Sequence, residues 1–171
     1  MLYRTGNPEV TLVSTASVLI VEDDFALRSL LALDARARGY RVLEAATLAD
    51  AVRVAAIDTF ELAVVDPTLG ADSGLDAIRA IRLQSPDTEI VVVSATTSLA
   101  SAIASYELEA FAFVPKPFDV DQLFATIERA IDHRAVVLAN RRLLWEQRLI
   151  NEIGDELRNL LAPGAPKISE S

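Results

Sequence analysis

Glu22, Asp23 and Asp24 stand in a row directly after the apolar run VLIV. Like charges this close disfavour one another's ionised form unless something positive joins them. Other residues with chemical potential occupy the same kind of place: Asp66 follows LAVV, Ser94 closes IVVVS, and Lys116 follows FVP. Glu22, Asp23 and Asp66 meeting at one edge would form a hard oxygen site suited to Mg²⁺, which takes few protein ligands and keeps waters and phosphate oxygens for the rest. Lys116 adds a mobile positive charge suited to pairing with a phosphoryl group.

These residues meet only if the runs before them are neighbouring strands. Short runs rich in Val, Ile, Leu and Ala predict strands over 18–21, 40–45, 62–65, 90–94 and 110–114, alternating with helices over 25–38, 48–57, 74–84, 98–106 and from 120 onward. Strands apolar on both faces and separated by helices imply a parallel sheet covered on two sides. Right-handed crossovers then restrict the topology to a doubly wound α/β sandwich. In such sheets chemistry collects at the carboxyl ends of the strands, which is where the polar residues fall. Asp24 is read separately, as the N-cap of the first helix, because a helical pattern starts directly after it.

The chain has 171 residues, half of them hydrophobic (51%), enough for one ordinary domain with an appendage. A formal charge of -9 argues against direct nucleic-acid binding, which needs a basic face. With no cysteine, disulfides and thiolate metal sites are excluded. No apolar run approaches the ~18 residues needed to cross a bilayer, and no secretion signal opens the chain. A cytoplasmic protein without membrane insertion is expected. Residues 1–17 read as an irregular lead-in.

As a set and in this order, VEDD, VVDPTLGADSGL, VVVSA and FVPKPF resemble the receiver domains of bacterial two-component response regulators, over residues 18–134. The resemblance implies a flavodoxin-like five-stranded parallel sheet of order 2-1-3-4-5. It implies Asp66 as phosphoacceptor, with Glu22, Asp23, Asp66 and the backbone carbonyl of Thr68 holding Mg²⁺. Ser94 matches the hydroxyl that bonds the phosphoryl group, Lys116 the family's lysine, and Phe113 the aromatic that swings inward on activation. The Lys116–Pro117 bond is expected to be cis, a state that X-Pro bonds permit. The implied donor is a histidine kinase or phosphotransfer protein. The physical logic agrees: a carboxylate can attack phosphorus when cations screen both partners.

Some positions depart from the family's pattern. The family's usual proline four residues after the phosphoacceptor is replaced by Gly70, and Pro67 stands instead at a place where it offers no N–H. Glu109 replaces a glycine at the turn into the fifth strand, so that turn is expected to find another conformation. These departures support an alternative, a vestigial receiver serving as a phosphorylation-independent adaptor. A phosphohydrolase using Asp66 as nucleophile is less well supported, because the related phosphatases carry a second Asp where this chain has Thr68. The main expectation is a signalling domain rather than an enzyme.

Beyond the receiver the helical pattern continues over 135–162, before a tail at 163–171. Val136, Leu143, Ile150 and Leu157 recur every seven residues, with Ala139, Ile153 and Leu160 three places on and Glu146 interrupting the second row. Such a seam predicts a coiled coil or bundle and a homodimer through this helix. INEIGDELRNLLAP is similar to the phosphoacceptor helix of sensor histidine kinases, with Asp155 where that motif has histidine. His133, the sole histidine, reads as a surface residue.

Overall fold

The structure is a computed structural model and describes residues 16–95 and 109–161. Five parallel strands form the main sheet: β1 (Ser17–Val21), β2 (Arg41–Ala45), β3 (Leu62–Val65), β6 (Glu89–Ser94) and β7 (Ala112–Pro115), in the order β2-β1-β3-β6-β7. Among these five, numbered by sequence, the order is the expected 2-1-3-4-5. A two-stranded antiparallel piece, β4 (Thr68–Leu69) and β5 (Asp72–Ser73), follows β3. The helices are α1 (Phe25–Ala37), α2 (Leu48–Ile57), α3 (Gly74–Gln84) and α4 (Val120–Leu161). The helix expected at 98–106, most of the lead-in and the tail lie outside the described residues.

Alternation along the strands builds two cores. Leu19 and Val21 of β1, Ala63 and Val65 of β3, and Ile90 and Val92 of β6 pack with Ala51 and Ala55 of α2 and with Ala77, Ile78 and Ile81 of α3. The intervening Val18, Ile20, Leu62, Val64, Val91 and Val93 pack with Leu31, Ala32 and Ala35 of α1 and Leu123, Phe124 and Ile127 of α4. Period-2 alternation puts successive side chains on opposite faces, so a strand apolar at every position feeds both layers. Each fully buried aliphatic side chain contributes about 1.5–3 kcal/mol, which fixes the three central strands and hence the place where each one ends.

Strand boundaries shift from expectation where local hydrogen bonds intervene. β2 starts at Arg41 because the Tyr40 N–H turns back to the Ala35 carbonyl at 3.0 Å to close α1. β7 runs on to Pro115, and the next N–H, that of Lys116, still bonds the Ser94 carbonyl at 2.8 Å. The chain divides into two compact units, Met1–Asp132 and His133–Ser171, with α4 contributing to both. In the second unit Val136, Leu143, Ile150 and Leu157 are exposed, and Glu146, the interruption of the heptad, pairs with Arg142 one turn earlier at 2.9 Å. None of the described helices is long and apolar enough to cross a membrane.

Candidate functional site

β1 and β3 are adjacent and in register, Val21 beside Val65, so the residues that follow them emerge side by side. The Asp66 N–H still bonds the Val21 carbonyl at 2.9 Å, and the Glu22 N–H bonds that of Ala45 at 3.1 Å. Asp23 stands exposed next to them. Ligand oxygens of Glu22, Asp23 and Asp66 lie within 4.8 Å of one another. β7 delivers Lys116 to the same place, its Nζ 2.7 Å from Glu22 Oε2 and 2.6 Å from Asp66 Oδ2.

Glu22 and Asp66 are buried. Burial pushes the Glu22 carboxyl above its ordinary value and Asp66 adds to the push, while the Lys116 ammonium offsets only part of it. For Lys116, burial pulls downward, but the hydrogen bonds to Asp66 and Glu22 outweigh it and the ammonium sits above its ordinary value. Three carboxylates against one ammonium leave two formal negative charges at the rim. An all-oxygen donor set with that deficit is what a hard divalent cation complements.

Thr68 opens β4, and its N–H donates to Asp66 Oδ1 at 2.6 Å. Pro67, which has no N–H, accepts from Gly74 through its carbonyl at 3.1 Å. A Cβ on Gly74 would lie 1.9 Å from the Asp66 carbonyl oxygen, so only glycine lets α3 start this close to the acid. Gly70, with φ +54°, makes the turn between β4 and β5. Ser94 ends β6 fully buried, and Phe113 lies half-buried in β7 against the core on the α2 and α3 side. The Lys116–Pro117 peptide is cis. Asp24 caps α1, accepting from the Leu27 N–H at 3.0 Å.

Arg28 was not singled out by sequence reasoning. Its guanidinium donates to the carbonyls of Glu22 at 2.6 Å and Asp23 at 3.3 Å. The available signal was its place one helical turn after Asp24, on a helix otherwise read only for its apolar face. At the other departure from pattern, the turn into β7 keeps the left-handed conformation: Glu109 adopts φ 53° where another conformation was expected. Its carbonyl accepts from Arg82 at 2.8 Å.

A family model for the response regulator receiver domain matches residues 18–128. The chain belongs to that family. Its relatives include the DNA-binding transcriptional regulator NtrC of Azospirillum brasilense, 32% identical over 70% of this chain and 25% of that protein. The acid tolerance regulatory protein ActR of Sinorhizobium medicae is also 32% identical, covering 88% of each. A response regulator from Burkholderia pseudomallei, crystallised with a phosphorylated aspartic acid, calcium ion and citrate, superposes with a TM-score of 0.63 at 28% identity, covering 81% of this chain and 86% of that one. The chain thus spans a quarter of the NtrC relative's length and most of ActR's. Response regulators of this kind act in two-component signalling, the role expected from the motifs.

One expectation is overturned. The acidic balance argued against direct nucleic-acid binding, yet the family includes a protein named as a DNA-binding transcriptional regulator. Net charge is a sum over one chain and reports on its own surface. It does not govern what a regulator carrying such a receiver binds.

Proposed function

We propose that Asp66 accepts a phosphoryl group from a histidine kinase or phosphotransfer protein, and that Glu22, Asp23, Asp66 and the Thr68 carbonyl hold Mg²⁺ for the transfer. The single observation carrying this reading is the meeting of three carboxylates with Lys116 at one rim of the sheet, Lys116 Nζ standing 2.6 Å from Asp66 Oδ2. When bound, Mg²⁺ supplies charge neutralisation between the attacking carboxylate and the incoming phosphoryl oxygens. An oxygen of Asp66 attacks phosphorus, the bond from phosphorus to the donor breaks, and an acyl phosphate forms. The Thr68 N–H and Lys116 Nζ, already bonded to the two Asp66 oxygens, hold the carboxylate in one orientation. The phosphorylated aspartate in the Burkholderia relative supports the same chemistry.

The acyl phosphate concentrates negative charge and new acceptor oxygens at one point. Ser94 and Lys116 are drawn toward it, which moves the ends of β6 and β7 and repacks Phe113. The output passes to a partner, and regulation of transcription is the output that the NtrC relative suggests. In this reading the chain is a phosphoacceptor of the cytoplasm rather than an enzyme with a separate substrate, and its receiver occupies residues 18–134.

Incubation with acetyl phosphate and Mg²⁺, followed by intact-mass measurement, tests the proposal. The wild type gains one phosphoryl group and Asp66→Asn gains none. An unmodified wild type, or an adduct that survives in Asp66→Asn, overturns it.

A further inference from the structure

The loop joining β1 to α1 carries two of the three carboxylates, and its shape decides where they point. Regular structure ties its two ends, through the Glu22 N–H on the Ala45 carbonyl and through Asp24 as the cap of α1. Arg28, on the first turns of α1, reaches back beneath it and donates from one nitrogen to two successive carbonyls, those of Glu22 and Asp23. Its side chain is only 12% exposed. It is itself held from two sides: Nε lies 3.7 Å from Glu44 Oε2 on β2, and the guanidinium stands 5.5 Å from the Phe25 ring centroid. Arg36 also binds Glu44, at 2.7 Å.

Building on the reading that this rim takes Mg²⁺, we propose that Arg28 is the positioning residue of the metal loop, clamping the Glu22 and Asp23 carbonyls so that both carboxylates stay beside Asp66. Hydrogen bonds from a charged donor are short and directional, and the planar guanidinium loses little freedom in making them. A cation under a cation site would by itself repel the metal. Here Glu44, which also holds Arg36, offsets part of that charge, and the two carbonyl contacts make orientation of the loop the main effect of Arg28. Outer residues that orient ligands commonly change metal affinity by about 10–100-fold.

Titration of the full chain with MgCl₂ by calorimetry, beside metal-free melting and circular dichroism, tests this on wild type, Arg28→Met, Arg28→Lys and Glu44→Gln. Arg28→Met is expected to keep its fold and lose about tenfold in Mg²⁺ affinity. Its phosphorylation by acetyl phosphate falls at low Mg²⁺ and returns to roughly the wild-type rate at saturation, a split that general destabilisation would not give. Arg28→Lys recovers part of the affinity. Glu44→Gln removes that partial offset, so its loss of affinity shrinks as KCl is added, whereas the loss in Arg28→Met persists.

A folded Arg28→Met with wild-type affinity overturns the proposal, as does a rate defect that saturating Mg²⁺ does not restore. Should Arg28→Met fail to fold, wild-type affinity in both Arg28→Lys and Glu44→Gln overturns it. A wild type that takes up no Mg²⁺ defeats the metal reading itself. An unchanged variant beside a metal-binding wild type defeats only the role of Arg28.

Discussion

Glu22 carries the sharpest conflict in the molecule. It is a buried carboxylate whose charge is disfavoured by its burial and only partly relieved by Lys116. A metal ligand must nevertheless be ionised. Glu22→Gln removes the burden and one metal oxygen charge together, so the metal-free protein should melt roughly 2 °C higher. The rise in melting temperature that Mg²⁺ gives the wild type should largely vanish, and unfolding curves with and without Mg²⁺ check both. Gly74 tests the opposite kind of constraint, since a methyl group there meets the Asp66 carbonyl at 1.9 Å. Gly74→Ala should cost about 3 kcal/mol in urea unfolding and slow phosphorylation, because the clash displaces the residue that carries the acid. Glu22, Asp66, Ser94 and Lys116 were legible in the sequence because each directly follows an apolar run, and such runs mark strand ends. Arg28 was not, because its role is a contact with backbone carbonyls, and a backbone carbonyl leaves no trace in residue type.

Elements were legible where burial alone decides them. β1, β3 and β6 are apolar at nearly every position, and nothing competes with that pattern. The β4–β5 pair was missed because TLGADS lacks alternation. It forms through a left-handed Gly70 and the attachment of Thr68 to Asp66, and Leu69 is its buried residue. The turn into β7 was misjudged for a related reason. Glu109 stays in the left-handed region while Arg82, 27 residues earlier, binds its carbonyl and also those of Pro86 and Thr88. A tie over that distance cannot be read locally. The left-handed conformation strains a residue with a Cβ, so Glu109→Gly should raise stability by about 0.5–1 kcal/mol in chemical denaturation, the strain relieved exceeding the entropy that glycine adds to the unfolded chain. At the start of α2, Thr47 accepts from the Asp50 N–H at 3.1 Å. Thr47→Ala should cost about 1 kcal/mol by the same assay, through loss of that cap.

At the scale of the whole molecule, the buried residues of both cores come from the first compact unit, the last of them Ala130. The second unit holds a long stretch of α4 on which several large apolar side chains, among them Leu144 and Trp145, are exposed. Sequence periodicity made this helix legible to its end, including Gly154, which remains helical despite its poor propensity. Beyond Ala130 no described residue of α4 belongs to either buried core, and a helical stretch that buries no side chains adds little to the stability of a domain. Ending the chain at Arg134 should therefore leave the unfolding free energy of the receiver, measured in urea, within about 1 kcal/mol of the full chain's. Mg²⁺ affinity should also stay within about twofold, since every residue of the rim lies before the cut. A truncated chain that unfolds or loses its metal would mean that the receiver draws its stability from beyond its own core. The same comparison separates the two halves kinetically: acetyl phosphate should label both chains at equal rates, because the attacking carboxylate, its lysine and the clamp beneath the loop are all retained.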